Sequence, residues 1–351
     1  MTSLFKRAKS AIRRPPAPMR FPIKGFEVVS ESEVLEEEAF DEFKAERYYP
    51  MIIGEYIALK VYTRGENKQE EFNIYQHLSK ANPSHSGHPY VRTALDTFTI
   101  PRVGSDHHCL VQKPMWESFR DLLYRNPTQR LTEELLKGGL MQVLFALDYL
   151  HAKCKLVHTD IKGDNILQEI EDPSILDTFT KAEMEQPSSR KFVNSMPVYA
   201  SRRFDMPKTL GEPSPEVMLK TEWSYSVDIW NVGVMIWDLF EGKHLFYGND
   251  TDGKGYSTRA HLAEVIRMLG PPLLELLERG ERSAEFFDEH GKWKAEVDIP
   301  SNTSLEKSEE FLEGINKLMF MRFVRGMLQW RPEDRKTAKE FLEDPWLNNE
   351  I

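Results

Sequence analysis

In the segment "EYIALKVY", residues 55–62, large aliphatic residues occupy every second position. Ile57, Leu59 and Val61 fall on one face of an extended chain, and Ala58 and Lys60 share the opposite face. Because side chains of a strand point alternately to its two faces, this period of two predicts a β-strand. The apolar face is expected to pack against the rest of the protein.

Beyond this strand the period changes to that of a helix. In "NKQEEFNIYQHLSK", Ile74, Tyr75 and Leu78 follow Glu71 at helical spacing. These positions lie on one face of an α-helix, so Glu71 is predicted to point toward the apolar side. After a loop, "HCLVQKP" is predicted to be a second strand that ends at Pro114.

The rest of the chain has mainly helical periods. "LTEELLKGGLMQVLFALDYLHAK" predicts a long helix with Thr132 as its N-cap. Its predicted inward face consists of Leu136, Leu140, Leu144, Leu147 and Leu150. "SVDIWNVGVMIWDLFEG" is apolar almost all round, which predicts a helix in the centre of a helical lobe. Further helices are predicted at "RAHLAEVIRML", "SLEKSEEFLEGINKLMFMRFVRGML" and "KTAKEFLEDPWL". The predicted fold class is therefore α+β, with a small strand-containing part before a larger helical part.

Composition changes this picture little. The 351 residues are 40% hydrophobic, which allows a large core, and no apolar stretch is long enough to span a bilayer. The two cysteines, Cys109 and Cys154, exclude a disulfide framework and suit a reducing compartment. A net charge of −10 favours cationic partners over nucleic acid. We therefore expect neither a membrane span nor direct binding to nucleic acid.

Charge is unevenly distributed at the start of the chain. The first 24 residues carry seven Lys and Arg residues and no acid, and the almost purely acidic "EVVSESEVLEEEAFDEF" follows. We predict a disordered tail over residues 1–45, and favour it over a mitochondrial presequence, which a basic, acid-free start also resembles. Residues 46–112 are predicted to form a truncated small lobe and residues 113–351 the large lobe, with 46–348 together as one domain.

The segment "LVHTDIKGDNILQ" contains the pattern H-x-D-x-K-x-x-N, which matches the catalytic loop of eukaryotic protein kinases. Phosphoryl transfer depends mainly on positioning and charge neutralisation, and one short loop supplies the groups. In that role Asp160 accepts the proton of the attacking hydroxyl, Lys162 lies against the γ-phosphate of ATP, and Asn165 binds Mg²⁺. The alternative for this pattern alone is a solvated polar turn. We name residues 158–165 the catalytic loop.

Motifs on both sides of this loop occur in the order found in kinases. "ALKVY" matches the V-A-I-K strand, which places Lys60 at the α- and β-phosphates, Ala58 over the adenine, and Glu71 as the ion-pair partner of Lys60. Downstream, "SPEV" matches the A-P-E motif. Glu216 of that motif is expected to form a structural ion pair with Arg335. Asp228, in "DIWNVG", matches the buried aspartate that accepts backbone N–H bonds from the catalytic loop.

The resemblance narrows further to the SR-protein kinase family, especially its fungal members. It rests on "HTDIK", "RYYPMIIGE", "WSYSVDIWNVGVMIWDLFEGKHLF" and "YSTRAHLAEVIRMLGPP", and extends from about Arg47 to Leu347. It implies a monomeric, two-lobed kinase of the cytoplasm and nucleus, dependent on ATP and Mg²⁺. Its implied substrates are serines of Arg/Ser-rich proteins such as splicing factors. Thr159 in place of the usual Arg resembles kinases that need no activating phosphorylation.

Two segments expected of this family are missing from the sequence. No glycine-rich loop precedes Lys60, although such a loop covers the ATP phosphates. Between Asn165 and Ser214 no D-F-G occurs, so the second Mg²⁺ ligand and the activation loop are absent. Three explanations compete: an incomplete gene model or splice form of an active kinase, which we favour; a pseudokinase that acts as a docking scaffold; or replacement of the ligand by another aspartate. The candidate replacements are Asp172 and Asp177, and Asp205 is likewise not followed by x-Gly.

Parts of the sequence also resemble another family of enzymes and a metal site. A small-molecule phosphotransferase of the aminoglycoside type shares the H-x-D-x-x-x-x-N loop but lacks the P-E-V, D-I-W and W-R-P-E-D-R elements found here. Four histidines in the small lobe, at positions 85, 88, 107 and 108, could suggest a metal site. No cysteine or carboxylate pattern accompanies them, so we predict solvated loop histidines.

Overall fold

The computed structural model describes residues 25–30, 32–34, 58–62, 69–101, 106–170, 174–193, 196–200, 214–301 and 303–350. They divide into two compact units, each built from several stretches of chain. The first unit comprises Met1–Glu66, Thr97–Pro114 and Glu171–Arg202, and the second comprises Asn67–Asp96, Met115–Ile170 and Arg203–Ile351. Most of the predicted tail, and Ile57 of the predicted strand, lie outside the described residues.

A three-stranded sheet contains the first strand predicted from the sequence. Strand β1 (Ala58–Val61) pairs antiparallel with β3 (His107–Gln112), and β2 (Ala94–Ile100) lies on the other side of β3. In this register Lys60 is opposite Leu110. Among the described strands β1 is therefore at an edge of the sheet, and β2 was not predicted.

The predicted helix after β1 is present as α1 (Gln69–Lys80), but its buried face differs from the prediction. Phe72 and Leu78 are buried, whereas Ile74 is 42% exposed. The buried arc therefore includes Phe72, Tyr75 packed against the core, and Leu78, and it excludes Ile74. Glu71 lies between the two buried residues around the helix and is half-buried.

The second unit has a helical core that follows the predicted pattern closely. Helix α3 (Glu133–Asp148) begins at Thr132, whose side chain accepts a hydrogen bond from the Leu135 N–H. It continues into a π-helical turn at Tyr149–Cys154. All five leucines predicted to face inward are buried. The predicted central helix is α6 (Ser226–Ile236), which is buried at every position except Ser226 and Asn231, and continues into a second π-helical turn, Trp237–Glu241.

Several short elements surround the catalytic loop. Strand β4 (Met115–Ser118) leads directly into α2 (Phe119–Arg125) and pairs antiparallel with β5 (Leu167–Glu169), which follows the loop. The Phe119 N–H donates to the Ile166 carbonyl over 3.0 Å. The exit of the catalytic loop is thus joined to the start of α2.

The first unit also contains α4 (Ser174–Glu185) and a hairpin formed by β6 (Arg190–Val193) and β7 (Met196–Tyr199). The remaining helices belong to the second unit. They are α5 (Pro215–Leu219), α7 (Thr258–Leu269), α8 (Leu274–Arg279), α9 (Ser283–Phe286), α10 (Leu305–Ser308), α11 (Gly314–Met327) and α12 (Ala338–Leu342). None of these helices, nor any other in the described ranges, is both long and apolar enough to cross a membrane.

None of the four histidines fits the prediction of a solvated loop residue: His107 and His108 lie in β3, His88 begins a 3₁₀ turn, and His85 is half-buried. His107 lies in β3, is 1% exposed, and its Nδ1 is 2.9 Å from the Tyr62 carbonyl oxygen. The Nε2 of His85 lies 3.3 Å from an Asp148 carboxylate oxygen. Strand pairing and a carboxylate partner account for their burial, which sequence spacing did not reveal. In the parts of the chain that the structure covers, no three His, Cys, Asp or Glu side chains come together as a metal site.

A buried pair of carboxylates interrupts the long helix predicted between Leu305 and Leu328. Glu309 follows α10, and its carboxylate accepts hydrogen bonds from the backbone N–H groups of Phe311 and Leu312. The Glu241 carboxylate accepts one from the Glu310 N–H. Both glutamates are more than 90% buried. Burial raises the pKa of Glu241 to about 7, and the neighbouring charge of Glu309 acts in the same direction.

We predict that Glu241→Gln stabilises the protein above neutral pH. A carboxylate whose folded pKa lies near 7, against an ordinary value of 4.5, contributes stability below pH 4.5 that is lost as the pH rises through 7. The glutamine variant should lack this loss, so its advantage in free energy of unfolding should grow between pH 5 and 8. Urea denaturation at both values tests this, with Glu289→Gln, at a residue whose side chain is 87% exposed, as the unchanged control. An advantage that shrinks with pH would contradict it.

Candidate active site

The catalytic loop brings three of the predicted residues together. The Asn165 side-chain amide donates to the Asp160 carboxylate over 2.7 Å and to the Asp160 carbonyl over 2.9 Å. The Lys162 ammonium lies 3.1 Å from the same carboxylate. The Asp160 side chain is 48% exposed, so a substrate hydroxyl can reach it. Lys162 and Asn165 thus fix the orientation of the carboxylate, and its exposure leaves it within reach of a substrate hydroxyl, as the geometry of a general base requires.

A buried carboxylate below the loop fixes its backbone. Asp228, in the first turn of α6, is fully buried. Its Oδ1 accepts the Thr159 N–H over 2.7 Å, and its Oδ2 accepts the His158 N–H over 2.8 Å. The Nε2 of His151, from the π-helical turn, is 2.9 Å from Oδ2. Asp228 therefore joins α6, the end of the α3 helix and the catalytic loop.

This attachment holds a strained residue next to the predicted base. Thr159 has a φ of +70°, in the left-handed region that β-branched residues rarely adopt. Its N–H is bound by Asp228, and its carbonyl accepts the Asn231 side-chain amide over 3.3 Å. Backbone in this region costs roughly 1–3 kcal/mol and persists only where surrounding contacts enforce it. The two hydrogen bonds from α6 supply that enforcement.

Glu216 and Arg335 are also brought together. The Glu216 carboxylate accepts two hydrogen bonds from the Arg335 guanidinium, over 2.5 and 2.8 Å, and both side chains are fully buried. Arg335 further donates to the carbonyls of Ser226 and Gln329. The pair thus links α5, the start of α6 and the segment before α12. Its geometry is that expected of a structural ion pair.

Sequence reasoning missed Asp164, which lies four residues after Asp160. Burial raises the pKa of its carboxyl, and the charges of Arg120 and Lys162 act in the opposite direction. Its Oδ1 is buried without a hydrogen-bond partner in the structure. A buried acceptor without a donor is unfavourable, so this atom is suited to bind an incoming cation or donor. His151 and Asn231 were also missed, although Asn231 lies one helical turn after Asp228 on the same face.

The residues predicted to bind ATP are divided between the two units. Ala58 and Lys60 lie on β1 in the first unit, whereas Glu71, Asp160 and Asn165 belong to the second. The Lys60 ammonium is 4.7 Å from the Tyr62 ring centre. The predicted Lys60–Glu71 ion pair, and the roles assigned to all of these residues, stay predictions. Of the aspartates considered as replacement Mg²⁺ ligands, Asp177 lies on α4 in the first unit, and Asp172 and Asp205 are outside the described residues.

The donor atoms of the catalytic loop fit a magnesium nucleotide. Asn165 uses its amide nitrogen toward Asp160, so its oxygen is the atom suited to Mg²⁺, which prefers oxygen ligands. Bound Mg²⁺ would neutralise charge on the phosphates. Lys162 adds a positive charge at the same position.

A family model described as the protein kinase domain matches residues 51–347. The chain belongs to the protein kinase family. This result confirms the predicted α+β fold, with a small sheet-containing lobe and a larger helical lobe. Its relatives place it among the serine/threonine protein kinases, so the predicted enzyme class is also supported. A protein kinase domain in general uses ATP and a divalent metal ion.

Three relatives show how far the similarity extends. A serine/threonine protein kinase of Aspergillus fumigatus (strain CBS 144.89 / FGSC A1163 / CEA10) is 36% identical over 401 aligned residues, covering 98% of each chain. The serine/threonine-protein kinase SRPK of Physarum polycephalum is 27% identical and covers 84% of this kinase and 80% of its own length. The dual specificity tyrosine-phosphorylation-regulated kinase 3 of Mus musculus is 27% identical, over 86% of this kinase and 51% of its own length.

The alignment with the Aspergillus kinase is longer than this chain. It extends over 401 positions, whereas this kinase has 351 residues, so at least 50 positions are filled by the relative alone. Because the alignment covers 98% of both chains, these additional positions of the relative lie between aligned segments and not at its two ends. The relative therefore contains internal segments that this kinase lacks.

We predict that Asp228→Ala lowers the free energy of unfolding by roughly 3 kcal/mol or more. It leaves two backbone N–H groups and the His151 ring without an acceptor, at about 1–3 kcal/mol for each buried group. Thr159→Gly should act oppositely and add up to about 1 kcal/mol, because glycine adopts positive φ without strain. Chemical denaturation measures both changes. A stabilising Asp228→Ala or a destabilising Thr159→Gly would contradict the proposed attachment.

Proposed function

We propose that this kinase transfers the γ-phosphate of ATP to serine in Arg/Ser-rich proteins such as splicing factors, as a member of the SR-protein kinase type. The observation that carries this proposal is the pairing of two carboxylates on one loop. Asp160 is open to solvent and held by Lys162 and Asn165, and the Oδ1 of Asp164 is an acceptor without a hydrogen-bond partner. The first is suited to a serine hydroxyl and the second to a guanidinium.

In the proposed reaction the serine oxygen attacks the γ-phosphorus, Asp160 accepts the serine proton, and the bond from that phosphorus to ADP breaks. Lys162, 3.1 Å from Asp160, would neutralise charge that develops on the transferred group, and the Asn165 amide oxygen would hold Mg²⁺. General base catalysis of this kind contributes ~10²–10⁴-fold in rate. Lys60, Ala58 and Glu71 are proposed to bind the remainder of ATP.

The preference for basic substrates has three supports. The Asp164 Oδ1 is a buried acceptor without a hydrogen-bond partner, and Asp121 and Asp238 add negative charge around it, against the positive charges of Arg120 and Lys162. The whole chain carries a net charge of −10, which attracts cationic peptides over a distance. The Physarum relative is named an SRPK. Arginine suits such a site because its planar guanidinium donates two parallel hydrogen bonds to a carboxylate.

The missing segments bear on whether this chain acts alone. At least 50 positions of the Aspergillus kinase have no counterpart here, which favours a skipped coding segment over gradual loss of function. Loss of one preorganised transition-state donor typically costs ~10²–10³ in rate, and loss of a Mg²⁺ ligand adds to this. We therefore propose that the 351-residue chain is a slow kinase and that a longer form is the efficient one. The second candidate is a pseudokinase scaffold that binds Arg/Ser-rich proteins without transfer.

We further propose that the kinase is a monomer of the cytoplasm and nucleus, without direct contact to nucleic acid or membrane. The net negative charge supports the absence of nucleic-acid binding, since phosphate backbones repel acidic surfaces. A mitochondrial location remains the alternative suggested by the basic first 24 residues. Fluorescence microscopy of the full chain and of a chain starting at residue 25 distinguishes the two locations.

The expected result in a phosphate-transfer assay is slow labelling of an Arg-Ser repeat peptide with ATP and Mg²⁺, reduced at least ~10²-fold by Asp160→Asn. A chimera that carries the additional internal segments of the Aspergillus kinase should be at least ~10²-fold faster than the natural chain. Peptide binding without transfer in both proteins would contradict the kinase proposal and support the scaffold.

Asp164→Asn provides the control for substrate class in the same assay. Loss of a hydrogen bond between charged groups costs about 1.5–3 kcal/mol, so kcat/KM for the Arg-Ser peptide should fall roughly 10–100-fold. A peptide with glutamine in place of arginine should be unaffected. Equal losses for both peptides would show that Asp164 supports the loop and does not recognise arginine.

Reverse-transcribed message covering codons 50–220 tests the origin of the missing segments. We expect a product at least 150 nucleotides longer than the short form, since at least 50 codons are absent relative to the Aspergillus kinase. A single product of the short length would exclude a skipped segment.

A further inference from the structure

A segment near the start of the chain binds to the hairpin of the first unit. We call residues 25–30 and 32–34 the arm. The Arg190 N–H donates to the Glu27 carbonyl over 2.8 Å, and the Val29 N–H donates to the Arg190 carbonyl over 3.1 Å. Val28 and Arg190 thereby form a parallel bridge. The arm thus extends the sheet formed by β6 and β7, from about 160 residues away in the sequence.

Side chains reinforce this pairing on both sides of the bridge. The Arg190 guanidinium lies 4.0 Å from the centre of the Phe26 ring, and Phe26 contacts Tyr199 edge to face at 5.7 Å. The buried Lys191 ammonium donates to the Glu33 carbonyl. A cation stacked on an aromatic ring contributes about 0.5–1 kcal/mol at an exposed site. The arm is therefore held by a few weak contacts.

Ser189 lies at the junction between arm and hairpin. Its hydroxyl donates to the Glu27 carboxylate over 3.0 Å. Ser189 also lines a cavity of about 580 Å³ whose walls come from the arm, from the segment before β6 and from Ala200 after β7. The next residue is Arg190, which makes Ser189–Arg190 a dipeptide of the Arg/Ser class.

The chain contains three adjacent Arg/Ser pairs, and Ser189 is the accessible one within the described residues. Ser283, which follows Arg282, is 6% exposed. Ser201, which precedes Arg202, lies outside the described residues. Ser189 is half-buried and adjoins the cavity. Accessibility therefore separates it from Ser283.

We propose that Ser189 is a phosphorylation site and that a phosphate there releases the arm. In this step the Ser189 Oγ bonds to the γ-phosphorus of ATP, the bond from that phosphorus to ADP breaks, and the hydroxyl proton passes to the base of the acting kinase. The Ser189 hydroxyl, which donates a hydrogen bond to the Glu27 carboxylate, is replaced by a phosphate with a charge of about −1.5 to −2. The phosphate then faces the negative charge of that carboxylate. Repulsion replaces a hydrogen bond.

The same phosphate also weakens the second group of contacts. Arg190 is the nearest cation in sequence, and phosphate oxygens attract guanidinium groups strongly. Movement of Arg190 toward the phosphate takes it away from Phe26, so the stacking contact is lost as well. Release exposes the edge of β6 and opens the cavity. The arm thus covers the edge of β6, and phosphorylation of Ser189 uncovers it.

Acceptance of phosphate is tested with the Asp160→Asn chain as substrate, so the outcome does not depend on the activity of this kinase. The Asp160→Asn chain is incubated with ATP, Mg²⁺ and a different, active serine kinase that phosphorylates Arg-Ser repeat peptides. Mass spectrometry should find phosphate on Ser189 and none on Ser283, and Ser189→Ala should remove the signal. An unmodified Ser189, with the repeat peptide phosphorylated in the same tube, would overturn the proposal.

Release is tested in the full chain with phosphoserine incorporated at position 189 during translation. Hydrogen exchange at the Val29 and Arg190 amides should become at least tenfold faster, whereas amides of α3 should not change. Adding Glu27→Gln, which removes the opposing charge but keeps an acceptor, should restore most of the protection. Unchanged exchange with phosphoserine, or equal acceleration with Glu27→Gln, would overturn the proposed release.

Discussion

The Asp228 carboxylate is the contact on which the geometry of the active site depends. It is fully buried, and it accepts hydrogen bonds from two consecutive backbone N–H groups of the catalytic loop and from the His151 ring. A buried carboxylate is tolerated only when such donors compensate its charge. The backbone N–H groups of the loop therefore supply the hydrogen bonds that the buried Asp228 carboxylate requires. Asp228 in turn holds Thr159 at positive φ, directly before the predicted base, Asp160. Stability of α6 and positioning of Asp160 are two results of one set of hydrogen bonds.

All of these contacts lie within the second unit, which also contains the buried Glu216–Arg335 pair. The missing D-F-G segment lies between the catalytic loop and Glu216 in sequence, yet both remain positioned by α6 and the segments packed against it. This explains how a chain that lacks at least 50 residues of its Aspergillus relative retains an ordered loop. The groups that bind the loop backbone and the groups that cover the nucleotide belong to different segments, so one set can be present without the other.

The sequence predicted those parts of the fold in which one local pattern determines the structure. The leucine period of α3 and the all-round apolarity of α6 led to the correct core, and the Thr132 cap was correct because its hydrogen bond is local. Predictions failed where tertiary contacts decide. Ile74 was assigned to the core, but Phe72 occupies that position; His107 was assigned to solvent, but strand pairing buries it. At the candidate site, motif spacing named Asp160, Lys162, Asn165 and Asp228, which the structure brings together and whose catalytic roles stay predictions. His151 and Asp164 were missed because their roles follow from three-dimensional neighbours and from an unpaired oxygen, neither of which has a sequence signature.

The central claim, that Asp228 binds the backbone of the catalytic loop, is tested most directly by amide hydrogen exchange at Thr159 in the unmodified chain. Thr159 is exposed at its side chain, so an unbound amide there would exchange at close to the rate of an unstructured peptide. Because its N–H donates to a fully buried carboxylate, we predict exchange at least 100-fold slower than that rate, comparable with amides of α6. Exchange at the unstructured rate would contradict the attachment and the positioning of Asp160 that rests on it.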